Sequence, residues 1–415
     1  MCMKKLTNDL VIVGGGAAGL MAAATAAEKG LRVLLLEKND RDGKKLLITG
    51  KGRCNVTNAC SAESVLKNVP RNGRFLYGCI FRYPPEAAMA FFEENGCPLK
   101  VERGNRVFPQ SYRSSDVLQA LERALRRGGV ERRQTSAVEI LTQNGAVCAV
   151  KTKDGPIACE NVLLATGGRS YPLTGSTGDG YRMAERLGHT VEPPTGSLVP
   201  MEAPAVTGLQ GLSLRNTGLT LRDGRGKAVY RDFGELLFTH FGLSGPTVLS
   251  ASAHCKPGER YTVELDLKPA LDAEKLDARV QRDFEQYIRK SLKNGLMDLL
   301  PHKLIEPVLD CAYLDPEKPV HQVTAEERHR LAETLQHLTL TITKTRPLAE
   351  DIVTAGGVSV REINPKTMES KLVRGLYFAG EILDCDAYTG GFNLQIAWAT
   401  AHAAAISCAE RLQNG

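Results

Sequence analysis

The 415-residue chain has eleven cysteines but no CxxC pair and no cysteine–histidine cluster at metal-ligand spacing. This speaks against a structural zinc site and a dithiol redox centre, and it fits reduced thiols in the cytoplasm better than a disulfide framework. No apolar run reaches membrane-spanning length except Leu10 to Ala27, and that run holds four glycines, which argues against a signal peptide or a lipid-crossing helix. Internal repeats and low-complexity segments are absent. The net charge of +6 is modest for this length and fits an anionic small ligand as readily as nucleic acid. The one dense basic stretch, Arg123, Arg126, Arg127, Arg132 and Arg133, has no aromatic residue among its cations. It reads as a solvated helix face, and nucleic acid is not the expected partner.

The chain is rich in glycine, with 40 copies clustered in doublets and triplets, as expected where backbone approaches something closely. Residues 9–37 read as strand, tight turn, helix, strand: Leu10-Val11-Ile12-Val13, then Gly14 to Gly19, an alanine-rich segment, and Val33-Leu34-Leu35-Leu36. Strands without a polar face belong to a parallel sheet covered by helices on both sides. Asn161-Val162-Leu163-Leu164-Ala165 is a third such strand. The fold class is therefore α/β, a Rossmann-like, doubly wound nucleotide-binding domain.

The texture changes near Glu192. Ser213 to Asp223 and Tyr261 to Leu267 alternate as antiparallel strands, a helical stretch covers about Asp272 to Tyr313, and Thr324 opens a capping-box helix running to about Leu338. Leu338 to Thr343 alternates strictly as one more strand. Parallel-strand texture returns in Gly375 to Glu381, ahead of an alanine-rich helix from Phe392. We assign 1–191 and 348–415 to the nucleotide-binding domain, 192–268 and 338–347 to an inserted β domain, and 269–337 to an inserted helical subdomain.

Gly14-Gly15-Gly16-Ala17-Ala18-Gly19 satisfies GxGxxG between a strand and a helix, with Glu37 closing the second strand. Gly14 permits the turn, Gly16 lets backbone N–H groups reach a pyrophosphate, and Gly19 lets the helix pack close to the sheet. Glu37 is placed to accept from an adenosine ribose. This motif alone does not separate FAD from NAD. Gly380-Glu381 after a strand and Gly390-Gly391-Phe392-Asn393-Leu394 at a helix start supply a second N–H cluster, which a longer dinucleotide such as FAD would need. Aimed at the flavin pyrimidine edge, that helix start would stabilise negative charge on the reduced ring.

Between these motifs, Gly43-Lys44-Lys45-Leu46-Leu47-Ile48-Thr49-Gly50-Lys51-Gly52-Arg53-Cys54-Asn55-Val56-Thr57-Asn58 looks like a loop wrapped on a phosphate or flavin. It resembles the KLLxTGxGRCNxTN signature of the BaiN-like NAD(P)/FAD-dependent oxidoreductases, also called the aminoacetone oxidase family. Ala165-Thr166-Gly167-Gly168, Thr177 to Gly180, Gly234 to Pro246, Thr354 to Val358 and Ala379 to Gln395 resemble the same family, so the likeness spans nearly the whole chain. It implies non-covalent FAD, an insert made of a β-barrel and a helical part, and a substrate site between that insert and the isoalloxazine. The expected flavin contacts are Gly14, Gly16, Ala17, Ala18, Gly19, Glu37, Lys38, Lys45, Thr49, Gly50, Gly52, Arg53, Cys54, Asn55, Val138, Thr166, Gly167, Gly168, Gly380, Glu381, Gly391, Phe392, Asn393 and Leu394.

Flavin itself carries the hydride, so catalytic side chains are hard to read from sequence. His240 is a candidate to reach the substrate, although it reads more readily as a structural histidine. Tyr388 and Asp386 flank the glycine pair and are candidate proton donors, or loop hydrogen-bonders. Cys54 has no resolving partner and reads as packing. No second GxGxxG is present for a nicotinamide, so NAD(P)H is expected as a transient donor at a shallow site. The resemblance implies reduction of a carbon–carbon double bond conjugated to a ketone, as in 3-oxo bile acids. Oxygen-dependent oxidation of a small amino ketone is the second reading, and an RNA-associated or sensory flavoprotein the third.

Overall fold

In the computed structural model, residues 8–256, 258–346 and 353–414 are described. Contacts divide the chain into two compact units, 1–197 with 348–415 and 198–347.

The first unit is organised by a five-stranded parallel sheet. Leu10–Val13 is buried at every position and pairs with Val33–Glu37 on one side and Val162–Leu164 on the other. Leu376–Phe378, from the far end of the chain, extends the sheet beyond Val162–Leu164. Glu131–Gln134 forms the opposite edge against Val33–Glu37. Helices Ala17–Glu28 and Phe392–Asn414 pack against one another, which brings the two chain ends into one core.

The basic stretch departs from the expected single helix face. Helix Ser114–Arg127 ends at Gly128, and Arg132 and Arg133 lie on the exposed edge strand, where Arg132 reaches Asp42 at 2.9 Å. The charge pattern is helical only through Arg127 because the glycine pair Gly128-Gly129 stops the helix.

Three further features of this unit have no counterpart in the expected strand list, one being the antiparallel sheet of Thr57–Asn58, Arg106–Pro109 and Leu99–Val101. A three-stranded antiparallel sheet, Ala137–Gln143, Ala146–Thr152 and Gly155–Ala158, lies between the edge strand and Val162–Leu164 in sequence. Val191–Ser197 pairs antiparallel with Val353–Val358. That ladder holds residues 192–197 in the first unit, so the boundary falls after Ser197 rather than after residue 191.

The second unit carries a seven-stranded antiparallel sheet in the order Leu338–Ile342, Tyr261–Asp266, Ser213–Asp223, Ala228–Phe238, Gly242–Ser244, Met201–Glu202, Lys344–Thr345. The two outermost strands are halves of one stretch parted by Thr343, whose N–H donates to the Glu202 carbonyl. The sheet is open in its hydrogen bonding, with no ladder among the described residues joining its two outermost strands. Helices Ala273–Gln286, Leu292–Gly295, His302–Cys311 and Ala325–Gln336 replace the expected long helical stretch, and Thr324 caps the last with the reciprocal Glu327 contacts. They share one apolar core with the strands, so strands and helices form a single unit.

Candidate functional site

The first glycine loop shows what each glycine does. Gly14 has φ +108°, and a Cβ there would sit 2.5 Å from the Ala165 carbonyl oxygen, so only glycine is tolerated. Gly19 is as tight, 1.8 Å from the Gly14 carbonyl oxygen. Gly16 is different. A Cβ built on it meets no protein atom within 4 Å. It precedes helix Ala17–Glu28, which has no side-chain cap and no acidic residue in its first turn, so the N–H groups of Ala17, Ala18 and Gly19 are left for an anion. The cradle is what a pyrophosphate needs, and FAD fits it.

Glu37 sits beside this loop, accepting the Gly15 N–H at 2.7 Å and the Asn39 N–H at 2.8 Å. Carboxylate oxygens keep further lone pairs for a ribose hydroxyl. Lys38 donates to Thr177 at 2.7 Å and to Asp179 at 2.5 Å. Val138 is exposed, three residues after Thr135, whose N–H donates to the Glu37 carbonyl.

The carboxy-terminal motif meets this loop. A Cβ on Gly380 would lie 2.8 Å from the Ala18 methyl, so Gly380 seats the end of strand Leu376–Phe378 on the first helix start. Gly391 has φ +98°, and a Cβ there would be 2.4 Å from the Thr57 carbonyl oxygen. Asn58 donates to the Gly390 carbonyl at 3.1 Å, and Thr57 donates to Gln395 at 2.7 Å. The lysine- and glycine-rich loop, the first helix start and the last helix start therefore belong to one cluster. We expect Gly391→Ala to separate the last helix from strand Thr57–Asn58, lowering stability by about 1–3 kcal/mol and weakening flavin retention. Thermal unfolding and the absorbance spectrum of the purified variant check this.

Lys45 ties the cluster together. Its ammonium binds Glu381 at 2.6 Å and Ser170 at 2.5 Å. Glu381 also accepts from Ser170 at 2.9 Å and from the Thr354 N–H at 2.8 Å. Burial raises the Glu381 carboxyl, but the Lys45 ion pair and these hydrogen bonds outweigh it and hold the group below the usual carboxylate value. The Thr354 hydroxyl accepts from the N–H groups of Arg169 and Ser170 at 2.8 and 3.0 Å. Ser170 and Thr354 were not foreseen as site residues, because a lone serine and threonine carry no spacing signal. Gly168 packs against Thr354, and Gly167 packs against Ser176. Thr166 turns its hydroxyl into a buried place beside Gly180, with no hydrogen-bond partner among the described residues.

In the loop itself, Thr49 donates to the Leu46 carbonyl at 2.6 Å, and the backbone turns left-handed at Gly50, Lys51, Gly52 and Cys54. Asn55 accepts the Val107 N–H. Cys54 is fully buried, and burial pushes its thiol up to about 12, which suits packing rather than redox chemistry. Arg53 is exposed and stacks over the Phe108 ring at 4.8 Å. Asn393 clamps Ala387, its amide donating at 2.7 Å and accepting at 2.9 Å. Phe392 is buried and Leu394 partly buried against the core.

Of the three candidate catalytic residues, Asp386 and Tyr388 belong to the first unit and His240 to the second. Asp386 is fully buried, with Oδ1 taking Arg71 at 2.8 Å and Oδ2 taking Ser197 at 2.7 Å. Both oxygens of this carboxylate accept, an arrangement that holds the loop carrying it. Tyr388 is half-buried, its N–H donating to the Asn68 carbonyl. His240 belongs to the second unit, exposed at a hairpin end with its ring edge-on to Phe241 at 4.8 Å. No helix among the described residues is long and apolar enough to cross a membrane, and the ten described cysteines are free thiols.

Comparison with known proteins agrees with this architecture. The 3-dehydro-bile acid delta(4,6)-reductase of Clostridium scindens is 30% identical over 414 residues, covering 97% of this chain and all of that one. A ribosomal RNA dihydrouridine synthase of Escherichia coli is 31% identical over 402 residues, covering 96% of this chain and 97% of that one. The solved structure of 3-ketosteroid-delta4-(5alpha)-dehydrogenase from Rhodococcus jostii shares the fold, with TM-score 0.52, 16% identity and 98% of each chain covered. The family described as HI0933-like protein Rossmann domain matches residues 8–407, and the chain belongs to that family as a flavin-dependent oxidoreductase.

Proposed function

We propose that the protein reduces a carbon–carbon double bond conjugated to a carbonyl, with FAD held in the glycine cluster and NAD(P)H as the electron donor. The observation that carries this reading is the junction of Gly380 with Ala18 and of Gly391 with Thr57, which joins two helix starts into one dinucleotide cradle. A bound flavin supplies hydride. The chain's part is to hold the cofactor and to deliver a proton to the carbon next to the carbonyl.

Tyr388 is the proton donor we assign. It lies on the loop that runs from Asp386 to the Gly390-Gly391 pair, and its phenol can donate. Asp386 holds that loop through Arg71 and Ser197. Asn393 fixes the same loop from the helix side.

The relatives' names support the reaction class. A 3-dehydro bile acid carries its double bonds in conjugation with a ketone, and the C5–C6 bond of uracil is conjugated with its C4 carbonyl. Both reductions add hydride and a proton across an activated double bond. A 3-oxo steroid-like enone is therefore the first substrate class. Uridine in RNA is the second, favoured by the dihydrouridine synthase relative at 31% identity.

Anaerobic stopped-flow with NADH or NADPH should bleach the flavin, and an enone should restore its colour. Failure of both nicotinamides to bleach it removes the reductase reading. Rapid turnover of an amino ketone with oxygen would put the oxidase reading in its place.

A further inference from the structure

The first unit displays an aromatic pair that its own core does not use. Tyr77 and Phe81 lie one turn apart on helix Tyr77–Arg82, and their rings stack with centroids 4.4 Å apart and planes at 30°. Both remain in solvent, 58% and 39% exposed. Cys79 and Ile80, on the opposite face of the same helix, are buried. Single exposed aromatics are ordinary, but a stacked exposed pair rimmed by cations marks a contact surface.

The rim is basic. Arg74 lies one turn before Tyr77 and Arg82 beside Phe81, both exposed and neither in an ion pair among the described residues. Arg82 donates only a long 3.4 Å bond to the Lys366 carbonyl. Arg71 leads from this strip to the Asp386 loop, with its side chain 42% exposed while Nε and Nη2 bind Oδ1 of Asp386. Cations interleaved with exposed rings are what the arginine stretch at 123–133 lacks.

We propose that this strip docks single-stranded RNA, with bases stacking on Tyr77 and Phe81 and phosphates on Arg74 and Arg82. Three arginines around an apolar pair suit a polyanion with flat, splayed bases better than an apolar protein face. A duplex hides its base faces, so the strip discriminates against it. The proposal deepens the uridine reading of the function and takes the identity of its ligand from it. The strip joins the Asp386–Gly391 loop through Arg71, so RNA on it leads toward the glycine cluster within the same unit.

The test is fluorescence anisotropy of the FAD-loaded protein with a fluorescein-labelled, uridine-containing single strand of about 12 nucleotides, and with the same sequence as a duplex. Tyr77→Ala with Phe81→Ala should weaken single-strand binding about tenfold for each ring lost. Arg74→Gln with Arg82→Gln should lower the slope of log affinity against log salt by about 1.4, at roughly 0.7 for each phosphate contact. The second pair carries the test should the aromatic pair fail to retain yellow flavin. Unchanged affinity in both variants, equal binding of duplex and single strand, or no binding by the wild-type protein overturns the strip. So does a concentration-dependent dimer, seen by light scattering, that only the aromatic variant abolishes. Enone reduction and NAD(P)H bleaching, measured on the same preparations, report on the reductase reading separately. Either result can fail without the other.

Discussion

Gly16→Val yields a folded, colourless protein. Open space lies around a Cβ at Gly16, with no protein atom within 4 Å, so the apoprotein accepts the side chain without strain. The same space is where a pyrophosphate approaches the N–H groups of the first helical turn. An isopropyl group there keeps the phosphate from at least two charge-assisted hydrogen bonds at roughly 1.5 kcal/mol each, so FAD affinity falls about 100-fold or more. Gly14→Val is the contrasting variant. It sets a β-branched residue at φ +108° against the Ala165 carbonyl and should fail to fold rather than merely fail to bind. Flavin absorbance after desalting, read beside far-ultraviolet circular dichroism, separates the two outcomes. A yellow Gly16→Val protein would show that the pyrophosphate lies elsewhere.

Glu381→Ala should be the most destabilising substitution in the cluster away from glycine. It leaves the Lys45 ammonium, the Ser170 hydroxyl and the Thr354 N–H without their shared acceptor. Breaking a fully buried pair costs about 3–5 kcal/mol. Here each partner keeps about a fifth of its side chain exposed, 21% and 19%, so about 2–3 kcal/mol is the expectation. The pH dependence follows from the same pair. Its carboxyl is depressed below the ordinary 4.5, so its contribution is complete above that value and drains away as pH falls through the depressed one. Glu381→Gln should therefore cost stability near neutrality and lose less than wild type on acidification below 4.5. Urea midpoints of the two proteins across that range decide it, and parallel curves would remove Glu381 as the titrating group.

Much of the first unit was legible in order of sequence. Leu10–Val13, Val33–Glu37 and Val162–Leu164 announced themselves because a doubly covered strand has no polar face to disguise it. The capping box at Thr324 was legible for a similar reason, since its signal is local. Glu131–Gln134 was not legible as a strand. An edge strand that is exposed at all four positions carries no apolar periodicity, and its arginines read as the continuation of a helix. The ladder between Val191–Ser197 and Val353–Val358 was hidden for another reason. Its partners stand far apart in the chain, and only their pairing sets the boundary after Ser197.

The site divides in the same way. The glycine fingerprints and the loop from Gly43 to Asn58 were readable because backbone geometry leaves few residue choices at φ values near +100° or at contacts of 2.5 Å. Polar partnerships were not readable. Asp386 carries the same letters whether it donates a proton or accepts Arg71 and Ser197, and nothing near it in the chain names those partners.

The sequence by itself determined the parallel sheet and the two helix starts, because each rests on short-range patterns that backbone sterics make nearly obligatory, and it carried the motifs by which the chain resembles its family. Only the tertiary structure decided that Lys45, Ser170, Thr354 and Glu381 form one network, that Asp386 is a brace, and that Tyr77 and Phe81 share a solvent-facing strip. Partners and exposure are set by which distant segments meet, and a local pattern does not encode that meeting.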